Sequence, residues 1–328
     1  MRLPILLGIL ATSTALAACS SSSGSGGVAD RGANAGADKV LAKTAGNAAQ
    51  ALADGTTLRA SGRASSSWVR DFAADTGALA ADSSVQIARN NAGGLDLITP
   101  NGTFHFTAAD LSADGYGFEL PDGSASLWAW NGNSMADALD PNGGRYSLVF
   151  DYHYDFEAGD TGANGFAVVG SETDEADLAA LPTATYAGSA RVRVAPEEGF
   201  TNYGDVVAEA RGDVALTADF GAGEVSGDVT NLEYREPRNV DPTRSWTPFD
   251  GALTLETAAI EGNGFTGAVT ADADFETNVG TIDEGSTYSG TFFGPHAEEV
   301  GGGINLTGTS AEDGAGYVGI GFWQGWMQ

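Results

Sequence analysis

The stretch GFTGAVTADADFE, residues 264–276, sets Phe265, Val269, Ala271, Ala273 and Phe275 on one side of an extended chain and Thr266, Thr270, Asp272 and Asp274 on the other. A two-residue period with one apolar side predicts a β-strand that buries a single face. Seven further segments repeat the pattern, at 185–195, 206–220, 224–235, 251–261, 286–294, 298–309 and 316–325, set apart by Gly, Asp and Asn. Eight such strands predict an antiparallel up-and-down β-barrel over 185–328, of the size whose interior side chains just fill. Many of its positions are Gly, Ala or Thr, where a membrane barrel would carry bulky outward residues and aromatic girdles. The expectation is therefore a barrel in water.

Upstream, residues 55–184 are less regular but strand-biased. Tyr146, Leu148, Phe150, Tyr152, Tyr154 and Phe156 occupy every second position, which predicts a strand with one strongly apolar face. Weaker alternation runs through Leu58, Trp68 and Phe72, then 85–88 and 103–106. This half reads as a smaller, mostly β domain, so the fold class is all-β. Residues 33–53 are rich in Ala with a thin apolar face, consistent with either a marginal helix or more linker.

The first 18 residues have Arg2, a short apolar run and Ala17-Ala18 ahead of Cys19, the anatomy of an export signal. A Ser/Gly-rich run follows, so 19–54 reads as a flexible tether. Cys19 is the single cysteine of 328 residues, which excludes disulfides within the chain, Cys-ligated zinc and a cysteine nucleophile. Against 15 basic residues stand 44 acidic ones, a net charge of −29 that repels nucleic acid and anionic bilayers alike. A hydrophobic content of 42 % supplies a core and excludes disorder throughout.

Leu16-Ala17-Ala18-Cys19 resembles the lipobox of bacterial lipoproteins, which implies acylation of Cys19 and anchoring in membrane lipid. Longer strings resemble the lipoprotein family of transferrin-binding protein B. GFAVVGSET at 165–173, Asp177-Leu178, Leu181-Pro182 and ATYAGSA at 184–190 are similar to the entry into its barrel, and Ala218-Asp219-Phe220 with Val225-Ser226-Gly227 to the next hairpin. YSGTFFGPHAEEVGG at 288–302 is similar to its late-barrel signature. The resemblance implies a β-rich handle at 55–184 ahead of the barrel, and one such lobe where transferrin-binding protein B has two. It implies an outer-membrane protein at the cell surface, with the periplasmic face as the other orientation. Its partners would be a protein or haem ligand and an outer-membrane transporter or export translocon. No family ligand site maps onto this sequence.

Enzyme motifs are missing: there is no Gly-x-Ser-x-Gly, His-Glu-x-x-His or Gly-Lys phosphate loop. GNGFTG at 262–267 spells a dinucleotide fingerprint but lies between two alternating segments, where it reads as a hairpin turn. Glu298 and Glu299 are adjacent in a strand and so point to opposite faces, unsuited to paired acid–base work. Asp151, His153 and Asp155 share one face of a strand. With Tyr152 or Tyr154, His153 could ligate a metal or haem iron, and the competing reading is a solvated face over packed tyrosines. Trp128 and Trp130 form a pair that is either core or a protein-binding anchor. The connection 236–250 is long for such a barrel and carries Arg238, Arg244, Trp246 and Phe249, residue types that dominate protein interfaces. It is either a binding loop or a cover over the barrel wall. The expectation is a binding module with no resident cofactor and no catalytic residues, capturing an iron-bearing protein or haem for uptake; the alternative is a structural or adhesive surface lipoprotein.

Overall fold

The computed structural model describes residues 47–60, 62–71, 74–130, 134–156, 161–199, 207–237 and 240–328. The leader, Cys19, the tether as far as residue 46, Phe72 and Arg238 lie outside the described residues. A short helix, Ala48–Ala53, opens the described chain, capped by the Asn47 side chain accepting from the Gln50 N–H, so the end of the alanine-rich segment is helical.

Ten strands follow: β1 (Leu58–Ala60), β2 (Ser65–Asp71), β3 (Thr76–Leu79), β4 (Val85–Arg89), β5 (Leu95–Thr99), β6 (Gly102–His105), β7 (Gly117–Glu119), β8 (Ala125–Ala129), β9 (Ser147–Phe156) and β10 (Thr161–Gly170). They form two antiparallel sheets, β1-β4-β5-β6 and β3-β2-β10-β9-β8-β7. The alternation read in β9 sends Leu148, Phe150, Tyr152 and Tyr154 into the core between them, against Ile87, Leu97 and Leu127.

The next ten are β11 (Ala184–Pro196), β12 (Ala208–Asp219), β13 (Glu224–Arg235), β14 (Thr247–Pro248), β15 (Leu253–Glu261), β16 (Gly264–Ala271), β17 (Gly280–Ile282), β18 (Thr287–Phe293), β19 (Glu299–Ser310) and β20 (Gly316–Met327). Eight of them form a closed antiparallel up-and-down barrel, each paired with its successor, and β20 returns to β11 in register from Tyr186↔Met327 to Pro196↔Tyr317. Closure leaves no open edge to template aggregation. Tyr186, Leu216, Leu255, Phe265, Phe292 and Trp323 fill the interior, and a void of about 30 Å³ beside Val192, Leu232 and Ile304 has room for one water.

The stretch 264–276 is only partly a strand. β16 stops at Ala271, and Asp272 caps a helix, Ala273–Asn278, by accepting from the Phe275 N–H at 2.8 Å. Asp274 and Glu276 in its first turn suit the helix dipole, and Phe275 and Val279, four residues apart, both turn into the barrel core. Ala-Asp-Ala-Asp-Phe satisfies a two-residue period and an N-terminal helix turn equally, so the pattern alone could not place the break.

The handle packs on the outer face of β19 and β20. Trp68, Phe166 and Val168 meet Ile320, Phe322 and Phe293, and the Ser66 hydroxyl donates to the Gly321 carbonyl at 2.6 Å. The approach is close enough that a Cβ on Gly303 would sit 2.7 Å from the Ser65 carbonyl oxygen. Buried Glu299 spans the same junction, accepting from the Tyr146 and Ser147 N–H groups at 3.0 and 2.8 Å and from the Ser147 hydroxyl. Burial outweighs these bonds and pushes its carboxyl above the usual range. A raised carboxyl adds stability that is complete below its unfolded value near 4.5 and is lost as pH rises through the folded value. Replacing Glu299 by Gln is expected to flatten that part of the profile, read as the urea midpoint between pH 4 and 7.

Candidate binding surface at the handle–barrel seam

Where the handle edge meets the barrel wall, charged residues line up across three strands. Register pairs Arg193 with Glu209 and Arg191 with Arg211 between β11 and β12, then Glu209 with Arg235 and Arg211 with Glu233 between β12 and β13. These side chains take the outward positions of strands whose alternate residues, such as Ala190, Val192 and Val214, fill the barrel. Glu209, 5 % exposed, is the hub. Its Oε2 accepts from Arg191 Nε at 2.7 Å, and its Oε1 from Arg235 and Arg244, each at 2.6 Å. Burial raises its carboxyl, but the surrounding guanidiniums, Arg191 foremost, overcome this and bring it down to about 2.

Arg244 fixes residues 240–250 against the wall. Its backbone is left-handed at φ 54°, and its guanidinium also donates to the Val207 and Glu236 carbonyls at 2.7 and 3.0 Å. β14 adds to β13, with Thr247 opposite Tyr234 and Pro248 opposite Glu233. This strap lays a half-buried Trp246 over three guanidiniums, 4.2 Å from Arg211, 4.7 Å from Arg235 and 5.3 Å from Arg191. Arg191 also lies 4.2 Å from the ring of Trp130, so one guanidinium joins a handle tryptophan to a strap tryptophan. Arg193 donates to Asp151 of β9 at 2.7 Å and lies over Phe166, tying handle to barrel. Five of the chain's 15 basic residues thus gather in one patch of a strongly acidic protein.

Of the residues singled out in the sequence, Arg244, Trp246 and Trp130 converge here. Trp128 is half-buried on β8, paired with Gly117, where a Cβ would strike its ring. Phe249 turns inward against Tyr234 and Phe275 and packs, partly buried, against the barrel core. Arg238 lies outside the described residues. Arg191, Glu209 and Arg211 were missed, although the spacings Arg191-x-Arg193 and Glu209-x-Arg211 inside alternating strands mark a charged outward face.

His153, Tyr152 and Tyr154 do not come together. Both tyrosines are buried in the handle core, where loss of solvent pushes their hydroxyls up, against ionisation. His153 takes the opposite face, its Nε2 3.3 Å from Asp155, and burial with the nearby Arg70 lowers its basicity. That face is not a solvated one: Asp151 is bound by Arg193 and Asp155 lies 3.7 Å from Arg70. Among the described residues no group of three or more His, Cys, Asp or Glu side chains is placed to hold a metal ion.

Residues 180–320 match the sequence profile of the C-lobe and N-lobe β-barrels of transferrin-binding protein B. A variant of transferrin-binding protein B from Haemophilus parasuis superposes with a TM-score of 0.40 at 15 % identity, over 80 % of this chain and 45 % of that one. The isotype 1 protein from Neisseria meningitidis gives 0.39 at 17 %, over 83 % and 43 %. HpuA from Kingella denitrificans, solved with human haemoglobin, gives 0.40 at 14 %, over 84 % and 88 %. The chain spans under half the length of the two transferrin-binding proteins. No protein of curated function matches it in sequence. With the profile and the closed eight-stranded meander in agreement, residues 180–320 belong to the β-barrel family of transferrin-binding protein B.

Proposed function

We propose that this chain is a lipid-anchored outer-membrane lipoprotein of the cell surface that captures an iron-bearing protein for uptake, as a binding module and not an enzyme. The observation that carries the reading is the family match of the barrel at 180–320. Acylation at Cys19 would hold it on the membrane, and a transporter in the same membrane would receive the cargo. The barrel interior, packed with Tyr186, Phe265, Phe292 and Trp323, favours recognition of a protein on the outer surface over enclosure of haem. On that surface the strap offers what interfaces use most, Trp and Arg on a rigid support.

The test is binding of the immobilised full chain to human haemoglobin and to iron-loaded transferrin. Trp246→Ala is expected to weaken the protein bound by about thirtyfold or more, corresponding to about 2 kcal/mol at a hot spot. Arg244→Ala is expected to weaken it by releasing the strap. Unchanged affinity in both variants would place recognition elsewhere, and retention of neither probe alongside adhesion to cells or matrix independent of iron would favour the adhesive alternative.

A further inference from the structure

A second outward surface lies far down β13 from the strap, where Thr185, Thr217, Ser226, Asp228, Glu256 and Thr257 line a groove of about 370 Å³. A β-bulge makes it. Val225 pairs with Ala258 and Gly227 with Leu255, so Ser226 faces two residues, Glu256 and Thr257. Both are exposed, two consecutive side chains on one face, which a regular strand does not allow. From inside the barrel the fully buried Tyr288 holds the bulge, its hydroxyl donating to the Glu256 carbonyl at 2.6 Å with the Val225 carbonyl 3.3 Å away. Gly267 gives that ring its room, since a Cβ there would lie 2.4 Å from the Tyr288 ring and 2.9 Å from the Glu256 carbonyl oxygen. The wall is thus built to present Glu256 and Thr257 side by side.

The lining specifies the chemistry of a ligand. Hydroxyls donate and accept, carboxylates accept, and neither Lys nor Arg lines the groove. Glu256 Oε1 accepts from the Thr270 hydroxyl at 2.8 Å and Asp228 Oδ1 lies 3.4 Å from the Thr254 hydroxyl, so each carboxylate is steadied through one oxygen and can offer the other. Such a site selects a ligand dense in hydroxyl donors and repels anions, and the net charge of −29 strengthens the repulsion. The volume falls in the ~300–1,000 Å³ range of small-ligand clefts. Register also places Trp326, 40 % exposed, opposite Ala187, which pairs on its other side with Ala215 of the groove. Two strand spacings, about 10 Å, separate it from that wall, within reach of a second sugar ring.

We propose that this groove is a carbohydrate site for neutral oligosaccharides, with Asp228 and Glu256 accepting from sugar hydroxyls and Trp326 stacking on a pyranose face. The proposal rests on the groove alone and stands apart from capture through the strap. The test presents the full chain with a glycan array of neutral glucose-, galactose- and mannose-terminated chains beside sialylated and sulfated ones, followed by calorimetry on those retained. Neutral chains are expected to bind and acidic ones not. The double variant Asp228→Ala/Glu256→Ala, at two exposed positions, is expected to keep its unfolding temperature and lose at least tenfold in affinity. Trp326→Ala is expected to weaken longer chains more than disaccharides. Retention of no neutral glycan, preference for acidic ones, or full affinity in the double variant would overturn the proposal.

Discussion

Replacing Glu209 by alanine is expected to destabilise the protein by about 3–5 kcal/mol, read by urea unfolding at pH 7. The cost does not come from the pairs themselves, since a well-hydrated ion pair contributes ~0–1 kcal/mol. It comes from leaving Arg191, Arg235 and Arg244 half-buried or better with no carboxylate between them, each having lost the acceptor it meets at 2.7 Å or less. The exposed pair Arg63–Glu261 supplies the contrast, and Glu261→Ala is expected to cost under ~1 kcal/mol. Glu209 also sets an acid limit. With its carboxyl lowered to about 2 from 4.5, its contribution is complete above about 4.5 and is lost as pH falls toward 2. Glu209→Ala should therefore remove stability at neutral pH and flatten the acid limb together. A loss below ~1 kcal/mol with an unchanged acid limb would mean that the three arginines are solvated and the hub is no hub.

Trp323→Ala is the second large effect, about 3–5 kcal/mol. The side chain is fully buried on β20, its Nε1 donating to the Ser289 carbonyl at 3.1 Å and its ring 5.8 Å from that of Phe265. Gly290 has no side chain where the indole lies, since a Cβ there would come within 2.5 Å of it. The strand ladders on both sides resist collapse into the space left, so the cavity persists and its cost is added to the lost transfer energy. The outer wall does not change, so binding at the strap should survive wherever the variant remains folded. Retained stability would show that the barrel core repacks freely.

The barrel was legible because alternation survives wherever one face is buried, and each of its eight strands carries it. Its break at Ala271 was not, because Asp272 can begin a helix or continue a strand and tertiary packing of Phe275 and Val279 decides. The candidate surface was half legible. Arg244 and Trp246 stand out in a long connection, whereas their partners Glu209, Arg191 and Arg211 sit inside regular strands, and only the closed register brings them under the strap. The handle's polar face misled for a related reason. Asp151, His153 and Asp155 do share a face, but what covers it is distant in sequence: Arg193, 42 positions after Asp151, and Arg70, 83 positions before His153. The pinned bulge at Glu256 depends on a tyrosine 32 residues away reaching through the wall, which no local pattern announces.

The most direct measurement is a paired titration of the full chain, with haemin followed through its Soret band and with haemoglobin and iron-loaded transferrin followed by calorimetry. Recognition on the outer surface predicts saturable binding of one of the proteins and a featureless, additive haemin spectrum. A sharpened Soret band saturating at about one equivalent, with neither protein bound, would contradict it and send the search to a haem site that the packed barrel and the separated His153, Tyr152 and Tyr154 do not provide.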